Sequence, residues 1–312
     1  MTSTAHPQSL IVGSRAFDDL ELPSGVFPNV VGGSATYAAF AASALAPGVG
    51  VVAVVGDDFD TSTVSALEAR GVDTRGIERA SGKTFRWAGR YSSDLESRVT
   101  LDTQLNVFAG FEPKIPKELR SPAIVLLGNI HPTLQAQVLD AIAPPKVVLA
   151  DTMNFWIQGE PAALEKLLPR VDVLIVNDEE VRELSGERNV RKAALAVRKR
   201  GPRSVIVKRG EHGAALFDEN GIFVIPGIPL ESVVDPTGAG DSFAGGIVGC
   251  LSRELARTGT LDTNALRLGM VYGTATASFC VEDVGPRGVL DLSAAAIDRR
   301  LGELRSFVEV RW

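Results

Sequence analysis

The sequence predicts an α/β protein in which a mostly parallel central β-sheet is covered on both faces by helices and carries a small β-lid. Two observations support this fold class. Short apolar runs rich in β-branched residues recur along the 312 residues, with helical patterns between them. One other segment alternates polar with apolar residues, which is typical of antiparallel strands that expose one face to solvent.

The recurring runs are interpreted as the buried strands of the parallel sheet. They read, in chain order, SLIVGS, VGVVAVVG, AIVLLGN, KVVLAD, VDVLIVN and SVIVKRG. Such sheets bind ligands beyond the carboxyl ends of their strands, so polar residues repeated at those ends predict a cleft. Taken singly, each of them fits a turn or a helix cap equally well. They are Gly13/Ser14, Gly56/Asp57, Gly128/Asn129, Asp151, Asn177 and Lys208/Gly210.

The alternating segment covers residues 83–108 and turns near SSDLES. Together with residues 17–31 it is expected to form a flap over the strand ends. The sequence has no linker rich enough in Pro, Gly or Ser to separate two independent domains. Residues 1–312 are therefore predicted to form one domain into which the two lid segments are inserted.

Alternation within the lid leaves its orientation open. Arg86 and Arg90 share one face of the predicted strand, and Trp87 and Tyr91 share the other. Arginines facing the cleft would suit a phosphorylated or acidic acceptor, whereas aromatic rings there would stack on a nucleobase. The third alternative is a solvated basic face above an apolar face that packs on the sheet or on a second subunit. A lid that completes a partner's site would expose apolar surface in a monomer, so we expect a homodimer.

Charge and composition exclude several classes of protein. The net charge is −6 and the pI about 5.3, which is opposite to the basic surface of nucleic-acid or anionic-membrane binders, so a small-molecule partner is favoured. No run approaches the ~20 apolar residues of a membrane span. The amino terminus lacks the pattern of a signal peptide, and a cytoplasmic location is expected. Cys250 and Cys280 are predicted to be buried thiols.

The stretch DPTGAGD carries the clearest chemistry. An apolar, small-residue helix is predicted to follow, with Pro236 in its first turn. Gly238, Ala239 and Gly240 would then place uncovered backbone amides at a helix amino terminus, which attracts phosphate. Asp241 would face a hydroxyl while the amides face a phosphoryl group in transfer. A weak base suffices there, because positioning and charge stabilisation do most of the work.

Three motifs together resemble one known family. They are VVGGSATYAAFAAS at residues 30–43, NDEE at residues 177–180 and DPTGAGDSFAGG at residues 235–246. The sequence is similar, in this order and over nearly the whole chain, to the ribokinase-like, phosphofructokinase B-type carbohydrate kinases. The last motif is the most specific of the three, and Asn-x-x-Glu would mean little alone.

The resemblance implies a three-layer α/β/α sandwich and ATP-dependent transfer of the γ-phosphate to a hydroxyl of a sugar or sugar-like molecule. It makes Asp241 the base and the segment from Gly238 to Gly240 the anion hole. Asn177 and Glu180 would order Mg²⁺ and its water shell near the ATP phosphates. The metal would thus be held by Glu180 through water.

Further nucleotide contacts are implied by the same resemblance. They involve Thr237, which precedes the anion hole, and, through the segment VKRGEHG, Lys208 and Gly210. Gly285 falls where the family flanks adenine. A K⁺ site near the backbone of Asp235 and Gly285 is implied as well.

On the acceptor side, GSRAFD resembles the family's first strand and assigns Asp18 to substrate hydroxyls, with Asp19 as the competing choice. Gly32 and Gly33 would allow close approach of the sugar and the hinge of the lid. The remaining candidates for acceptor contacts are Arg86 of the lid and Asn129 at a strand end.

Tyr37 departs from the family pattern, since many of its sugar kinases carry Asn at this place in GG-x-x-x-N. The leading hypothesis is a sugar kinase acting on a hydroxymethyl group, and the nearest rival is a nucleoside kinase of the same fold. Tyr37 and the lid aromatics favour a nucleoside or a cyclitol. A sugar- or nucleotide-binding regulator without catalysis is the alternative of another class, although the intact Asp241 argues against it.

Overall fold

The computed structural model describes residues 8–309. The first seven residues, which belong to the segment searched for a signal peptide, lie outside this range. The strands of the described range are β1 (Ser9–Val12), β2 (Ala16–Leu22), β3 (Gly25–Gly32), β4 (Val49–Val55), β5 (Asp73–Arg79), β6 (Phe85–Tyr91), β7 (Arg98–Gln104), β8 (Ile124–Leu127), β9 (Val147–Asp151), β10 (Val173–Asn177), β11 (Ser204–Lys208), β12 (Ala214–Asp218) and β13 (Gly221–Ile225).

The helices lie mostly between strands, as expected for an α/β chain. They are α1 (Ser34–Ser43), α2 (Ser62–Ala69), α3 (Pro132–Ala141), α4 (Asn154–Gly159), α5 (Pro161–Leu167), α6 (Asp178–Ser185), α7 (Val190–Arg198), α8 (Ala239–Thr258), α9 (Thr263–Cys280), α10 (Arg287–Leu290) and α11 (Ala294–Val308).

Nine strands form the central sheet, in the order β13-β12-β11-β10-β9-β8-β1-β4-β5. Neighbours from β11 to β5 pair in parallel, whereas β12 and β13 are antiparallel. The six predicted runs are β1, β4, β8, β9, β10 and β11, so the mostly parallel sheet is confirmed. The sequence did not reveal β5, which alternates less clearly, or the β12–β13 hairpin at the opposite edge.

Two apolar cores lie on opposite faces of this sheet. Within β1, Leu10 and Val12 belong to the core under helices α3 to α7, and Ile11 belongs to the core under α1, α8 and α9. All three side chains are fully buried. Alternate residues of a strand point to opposite faces, and a run buried on both faces is therefore continuously apolar. The three-layer α/β/α sandwich is confirmed.

Small residues allow helix α8 to lie directly on α1. A side-chain carbon at Gly245 would come within 2.3 Å of the carbonyl oxygen of Ala38, and one at Gly249 within 2.7 Å of that of Ala42. Such contacts are shorter than any real carbon makes, so only glycine fits. This close packing fixes where the amino terminus of α8 meets the carboxyl edge of the sheet.

The lid is a separate four-stranded sheet in the order β3-β2-β6-β7. The β2–β3 and β6–β7 pairs are antiparallel, which confirms the small β-lid, and β2 and β6 join the two hairpins in parallel. The parallel junction was not predicted. It brings the two lid segments, distant in sequence, into one surface.

Two further observations concern the remaining sequence expectations. None of the helices between residues 8 and 309 is both long and apolar enough to cross a membrane. Cys250 and Cys280 are free thiols, and each is completely buried in the core as predicted.

Candidate active site

The connection from β13 to α8 ends at the helix amino terminus, and residues 235–241 of it and of the first helical turn are called the anion loop. Helix α8 begins at Ala239, with Gly238 as its N-cap in the left-handed conformation at φ 77°. Pro236 lies before the helix instead of in its first turn, and its carbonyl accepts from the amide of Ala239 at 3.2 Å. The expected amino terminus is therefore present, shifted by about one turn from the sequence prediction.

Free backbone amides remain in this loop. In the described part of the chain, no backbone carbonyl accepts from the amides of Gly238, Gly240 or Asp241. The amide of Ala239 is already bonded, so Asp241 takes its place among the available donors. Unpaired amides at a helix amino terminus are a favourable site for phosphate oxygens, since the helix dipole adds positive potential there.

Tyr37 lies directly beneath the anion loop. A side-chain carbon at Gly238 would meet its ring atoms at 2.4 Å, which explains the glycine there along with the positive φ. The ring is almost completely buried, and its hydroxyl finds no hydrogen-bond partner among the described residues. Burial raises the pKa of Tyr37, and the nearby Asp18 adds to the rise. Tyr37, the residue at which the sequence departs from the family pattern, therefore supports the anion loop.

Asp241 stands in the first turn of α8, opposite the ammonium group of Lys208. Burial raises the pKa of Asp241 to about 7, and the charge of Asp151 adds to the rise while Lys208 opposes it. Lys208 Nζ lies 3.3 Å from Asp151 Oδ1, and a side-chain carbon at Gly240 would be 3.0 Å from the same nitrogen. The lysine therefore touches both the carboxyl cluster and the anion loop.

The charge of Lys208 is maintained by its neighbours. Burial alone would lower its pKa, but Asp151, Glu180 and Asp241 raise it above its ordinary value. Burial likewise raises the pKa of Glu180 to about 7, despite the opposing charge of Lys208. The site thus crowds three carboxyl groups around one fixed cation.

Asn177 and Glu180 form a capping box at the start of α6. The Oδ1 atom of Asn177 accepts from the amide of Glu180 at 2.7 Å, and Glu180 Oε2 accepts from the amide of Asn177 at 2.7 Å. Asn177 is paired with Lys208 across the β10–β11 register. The motif therefore has a structural use, and it also fixes Glu180 beside the lysine.

Asp235 ties the anion loop to the segment after α9. It is fully buried, and its two oxygens accept from the amides of Thr237 at 2.9 Å and Gly285 at 2.8 Å. A side-chain carbon at Gly285 would meet Val30 of the lid at 2.3 Å, so the lid edge rests on this segment. Gly210 follows β11 in an open turn, on the side of Lys208.

Asp18 and Asp19 lie on opposite faces of lid strand β2. Asp18 is 5% exposed, and a side-chain carbon at Gly32 would come within 1.9 Å of its Oδ2 atom. Burial, followed by the charges of Asp235 and Asp241, raises the pKa of Asp18 to about 8. Asp19 instead accepts from the amide of Asn29 at 2.7 Å. The structure therefore brings Asp18, and not Asp19, toward the other cleft carboxylates.

The second glycine of the pair begins α1. A side-chain carbon at Gly33 would meet the carbonyl oxygen of Ser14 at 2.5 Å, so the strand end of β1 and the start of α1 are in direct contact. This contact joins the lid strand β3 to the sheet at the acceptor side of the cleft.

The inner face of the lid is aromatic. Trp87 is paired with Asp18 in the parallel β2–β6 register, so both side chains lie on the same face. The hydroxyl groups of Tyr91 and Thr237 are 2.9 Å apart, which fastens this face to the anion loop. Arg86 lies on the opposite, outer face, with its guanidinium 5.3 Å from the ring centre of Phe17. The structure does not bring Arg86 together with Asp18.

Asn129 follows β8 and is held by two neighbours. It accepts from the indole nitrogen of Trp156 at 2.9 Å and donates to the sulfur of Met153 at 2.9 Å. Trp156 also borders a cavity of about 310 Å³ that lies beside the carboxyl ends of β8 and β9. The walls of this cavity are Leu105, Phe108, Ala109, Phe111, His131, Thr133, Leu134 and Trp156.

Two charged residues of the cleft were missed by sequence reasoning as participants in chemistry. Asp151 was noted only as a polar strand end, although its contact with Lys208 makes it a full member of the carboxyl cluster. Arg98, the first residue of β7, affects the pKa values of Asp18, Glu180 and Asp241. The only signal for Arg98 was its place in an alternating strand.

Residues 8–309 contain no group of three or more His, Cys, Asp or Glu side chains arranged around a common point for a metal ion. The carboxyl cluster around Lys208 is thus a mixed site, in which a cation of the protein already balances part of the negative charge.

Known proteins provide an independent comparison. A cytidine kinase from Thermococcus kodakarensis is 28% identical over 250 residues, which cover 78% of this chain and 88% of that protein. An inositol 3-kinase from Oryza sativa is 28% identical over 294 residues, covering 87% of this chain and 68% of that protein.

A crystal structure of an E. coli protein assigned as a ribokinase II, in complex with ATP and Mg²⁺, matches with a TM-score of 0.76. The two chains are 20% identical, and the match covers 95% of this chain and 99% of that one. This likeness establishes the fold. A family model described as pfkB family carbohydrate kinase matches residues 14–291, which include the glycine pair, the Asn-x-x-Glu motif and the anion loop. The chain therefore belongs to the pfkB family of carbohydrate kinases, and it transfers a phosphoryl group to an alcohol group of a sugar or nucleoside.

Proposed function

We propose that the protein is an ATP- and Mg²⁺-dependent nucleoside kinase that phosphorylates a hydroxymethyl group, with Asp241 as the base. The observation that carries the kinase chemistry is the position of Asp241 in the first turn of α8, beside Lys208 and free backbone amides. A binder without catalysis would have no use for a carboxylate at this point.

Proton transfer is assigned to Asp241. Its pKa is raised to about 7 by burial and by the charge of Asp151, so it accepts a proton near neutral pH more readily than an ordinary aspartate. A base whose pKa lies close to the working pH combines the correct protonation state with adequate driving force. The acceptor hydroxyl gives its proton to Asp241 as its oxygen bonds to phosphorus.

Phosphate binding is assigned to the amides of Gly238 and Gly240 and to Lys208. No backbone carbonyl of the described chain accepts from these amides, and the lysine lies beside Gly240. Fixed donors of this kind stabilise negative charge without reorganisation during the reaction. Thr237, Gly210 and Gly285 are proposed to contact the rest of the nucleotide.

The residues around Lys208 fit a bound Mg²⁺. Glu180 Oε2 is occupied by the capping box, which leaves the other carboxylate oxygen for a water of the metal. Asp151 and Asn177 add oxygen atoms nearby, and Mg²⁺ favours such sites because it keeps several of its waters. A bound Mg²⁺ would supply positive charge that neutralises the phosphate oxygens.

Acceptor recognition is assigned to Asp18, Gly32 and Asn129. The inner lid face supports a nucleoside over a simple sugar, because Trp87 lies on the same face as Asp18 and offers a ring to a planar base. The cavity beside Asn129 has an aromatic and aliphatic lining as well. The relative from Thermococcus kodakarensis is a cytidine kinase, which agrees with this assignment.

A sugar or cyclitol acceptor is the second candidate. Asp18 and Gly32 lie close together and could bind acceptor hydroxyls whether or not the acceptor carries a nucleobase. The relative from Oryza sativa is an inositol 3-kinase. Two further expectations stay predictions. A K⁺ site would use the backbone near Asp235, whose two oxygens are already occupied. A homodimer would cover exposed apolar residues of the lid such as Val99.

The test is ADP release from MgATP across a panel of nucleosides, pentoses, hexoses, phosphosugars and cyclitols, with Asp241→Asn beside the wild type. We expect turnover with nucleosides and a loss of roughly 10²- to 10⁴-fold in the variant, with MgATP binding by calorimetry nearly unchanged. Turnover only with sugars or cyclitols would select the second candidate. Equal turnover of variant and wild type would remove Asp241 from the mechanism.

A further inference from the structure

The lid carries three arginines near the cleft, and their surroundings differ. Arg86 and Arg90 are on the outer face, where they form ion pairs with Asp19 and Glu21. Arg98 forms no ion pair with any residue from 8 to 309. Its guanidinium is 5.8 Å from the ring centre of Trp87, a cation–π contact, and it also donates a hydrogen bond to the side chain of Tyr91, which leaves its other N–H donors available.

The strand register places Arg98 on the inner face. It is directly opposite Tyr91 in the antiparallel β6–β7 pair, and opposed residues point to the same side of a sheet. The hydroxyl of Tyr91 contacts Thr237, the residue before the anion loop glycine. Arg98 is therefore carried on the part of the lid that is fastened to the phosphate side of the cleft.

The charge of Arg98 acts on both walls of the cleft. It lowers the pKa values of Asp18 on the acceptor side and of Asp241 and Glu180 on the nucleotide side. A phosphoryl group in transfer must pass between the acceptor hydroxyl and the amides of the anion loop. Arg98 is thus an unpaired cation placed beside the path of that group.

We propose that Arg98 is a catalytic residue contributed by the lid, whose guanidinium binds the non-bridging oxygens of the phosphoryl group in transfer. In this step the bond from the acceptor oxygen to the γ-phosphorus forms and the bond from that phosphorus to the β–γ bridging oxygen breaks. The hydroxyl proton goes to Asp241, and ADP leaves with the bridging oxygen. Arginine suits the role because its planar fork matches phosphate oxygens.

The inference rests on phosphoryl transfer with Asp241 as base, and not on whether the acceptor is a nucleoside or a sugar. Because Arg98 belongs to the lid, the element that covers the acceptor also supplies this charge.

The experiment compares Arg98→Leu and Arg98→Lys with the matched control Arg90→Leu, which removes an arginine from the outer face of the neighbouring strand. We expect Arg98→Leu to lower kcat by roughly 10²- to 10³-fold, the usual loss for one donor to transition-state charge, with the acceptor KM within about threefold. The kcat of Arg98→Lys should lie between those of Arg98→Leu and wild type. Arg90→Leu should keep wild-type kcat within about threefold.

Rescue separates catalysis from structure. Guanidinium ion added to Arg98→Ala should restore part of kcat if the lost group binds phosphate, and a merely structural role predicts no rescue. A kcat for Arg98→Leu equal to that of Arg90→Leu overturns the proposal. So does a raised KM confined to phosphorylated acceptors with kcat unchanged, since Arg98 would then bind the acceptor.

A binding measurement covers the case in which no acceptor of the panel is phosphorylated. Tetrafluoroaluminate with MgADP imitates the phosphoryl group in transfer, and its affinity is measured against that of MgADP alone. Arg98→Leu should weaken the fluoroaluminate complex at least tenfold and leave MgADP binding unchanged. Equal affinities in variant and wild type would contradict the role of Arg98, whereas inactive wild type with the expected affinity loss would count only against the acceptor assignment.

Discussion

The two sides of the cleft are built differently. The sheet side consists of Asp151, Lys208 and residues Gly238 to Asp241 of the anion loop. It is supported by strand ends, by the α6 capping box and by a long buried helix. The lid side, formed by Asp18, Trp87, Tyr91 and Arg98, belongs to a separate sheet whose outer strand β7 is exposed along its whole length.

The difference indicates a division of roles. The sheet side has no freedom to move without disturbing the core, which suits atoms that must meet a phosphate at fixed distances. The lid side is connected to it through a few contacts, such as that between Tyr91 and Thr237. We expect substitutions on the sheet side to affect kcat most, and those on the lid side to affect acceptor binding and closure, with Arg98 as the exception.

After the losses expected for Asp241→Asn and Arg98→Leu, the largest effect is expected for Gly238→Ala on the sheet side. The positive φ of 77° and the 2.4 Å approach to the Tyr37 ring force the loop to shift, because a methyl group cannot be accommodated. A displacement of about 1 Å in a positioning element costs roughly 10²-fold in rate. We therefore expect kcat to fall by roughly 10²-fold, measured with the preferred acceptor.

Helix α8 supplies its own control. Gly259 caps the other end of the helix at φ 76°, and a side-chain carbon there meets nothing within 4 Å. Gly259→Ala should cost about 1 kcal/mol of unfolding free energy from backbone strain alone and leave kcat unchanged. A fall in kcat of similar size in both variants would show that the position of the loop is not what matters.

Much of the sheet side could be predicted from the sequence, because its features are local. Strand ends follow apolar runs, the anion loop is encoded by consecutive small residues, and the family resemblance predicts that Asp241 is the base. Even here the start of α8 was misplaced, since Pro236 fits a first helical turn but lies in the loop before it. The capping box also explains Asn177 without any catalytic role.

The lid side could not be predicted to the same depth. Which face of β6 meets the cleft depends on the parallel β2–β6 pairing between segments far apart in sequence, and alternation alone leaves both faces equivalent. Arg98 had no local signal, since an arginine in an exposed strand is ordinary. The structure separates Asp18 from Asp19 only through the partners of Asp19 on the outer face, and the assignment of Asp18 to the acceptor stays a prediction.

On the lid side, Asp18→Asn should lower activity less than Gly238→Ala does. The same substitution should increase the free energy of unfolding near neutral pH. Above pH 8, where Asp18 is ionised, losing a charged acceptor for substrate hydroxyls should lower kcat/KM by roughly 10- to 100-fold, since such hydrogen bonds contribute about 1.5–3 kcal/mol. The matched control is Asp19→Asn, which removes a carboxylate from the outer face of the same strand. Equal losses in the two variants would contradict the assignment of Asp18 to the acceptor.

The stability effect of Asp18→Asn has a defined pH dependence. Burial and the neighbouring carboxylates raise the pKa of Asp18 to about 8 in the folded protein, against about 3.9 in an unfolded chain. The folded state holds this proton more tightly, so the contribution of Asp18 to stability falls as pH rises between these two values. We expect the stability advantage of the variant over wild type to grow as pH rises from 4 to 8 and to vanish near pH 4, measured by urea unfolding.

The smallest effect is expected for Tyr91→Phe, which removes the hydroxyl contact between lid and anion loop and keeps the ring in its cluster. A neutral hydrogen bond contributes about 0.5–1.5 kcal/mol, so the acceptor KM should rise by roughly two- to tenfold with kcat nearly unchanged. Thr237→Val removes the other partner. If the two hydroxyls act only on each other, the acceptor KM of the double variant should be no higher than that of the more affected single variant. Additive losses would mean that the two hydroxyls act independently, as expected if the Thr237 hydroxyl contacts the nucleotide, and the lid would then be held closed by its apolar cluster of Leu20, Trp87 and Val284 instead of by this hydrogen bond.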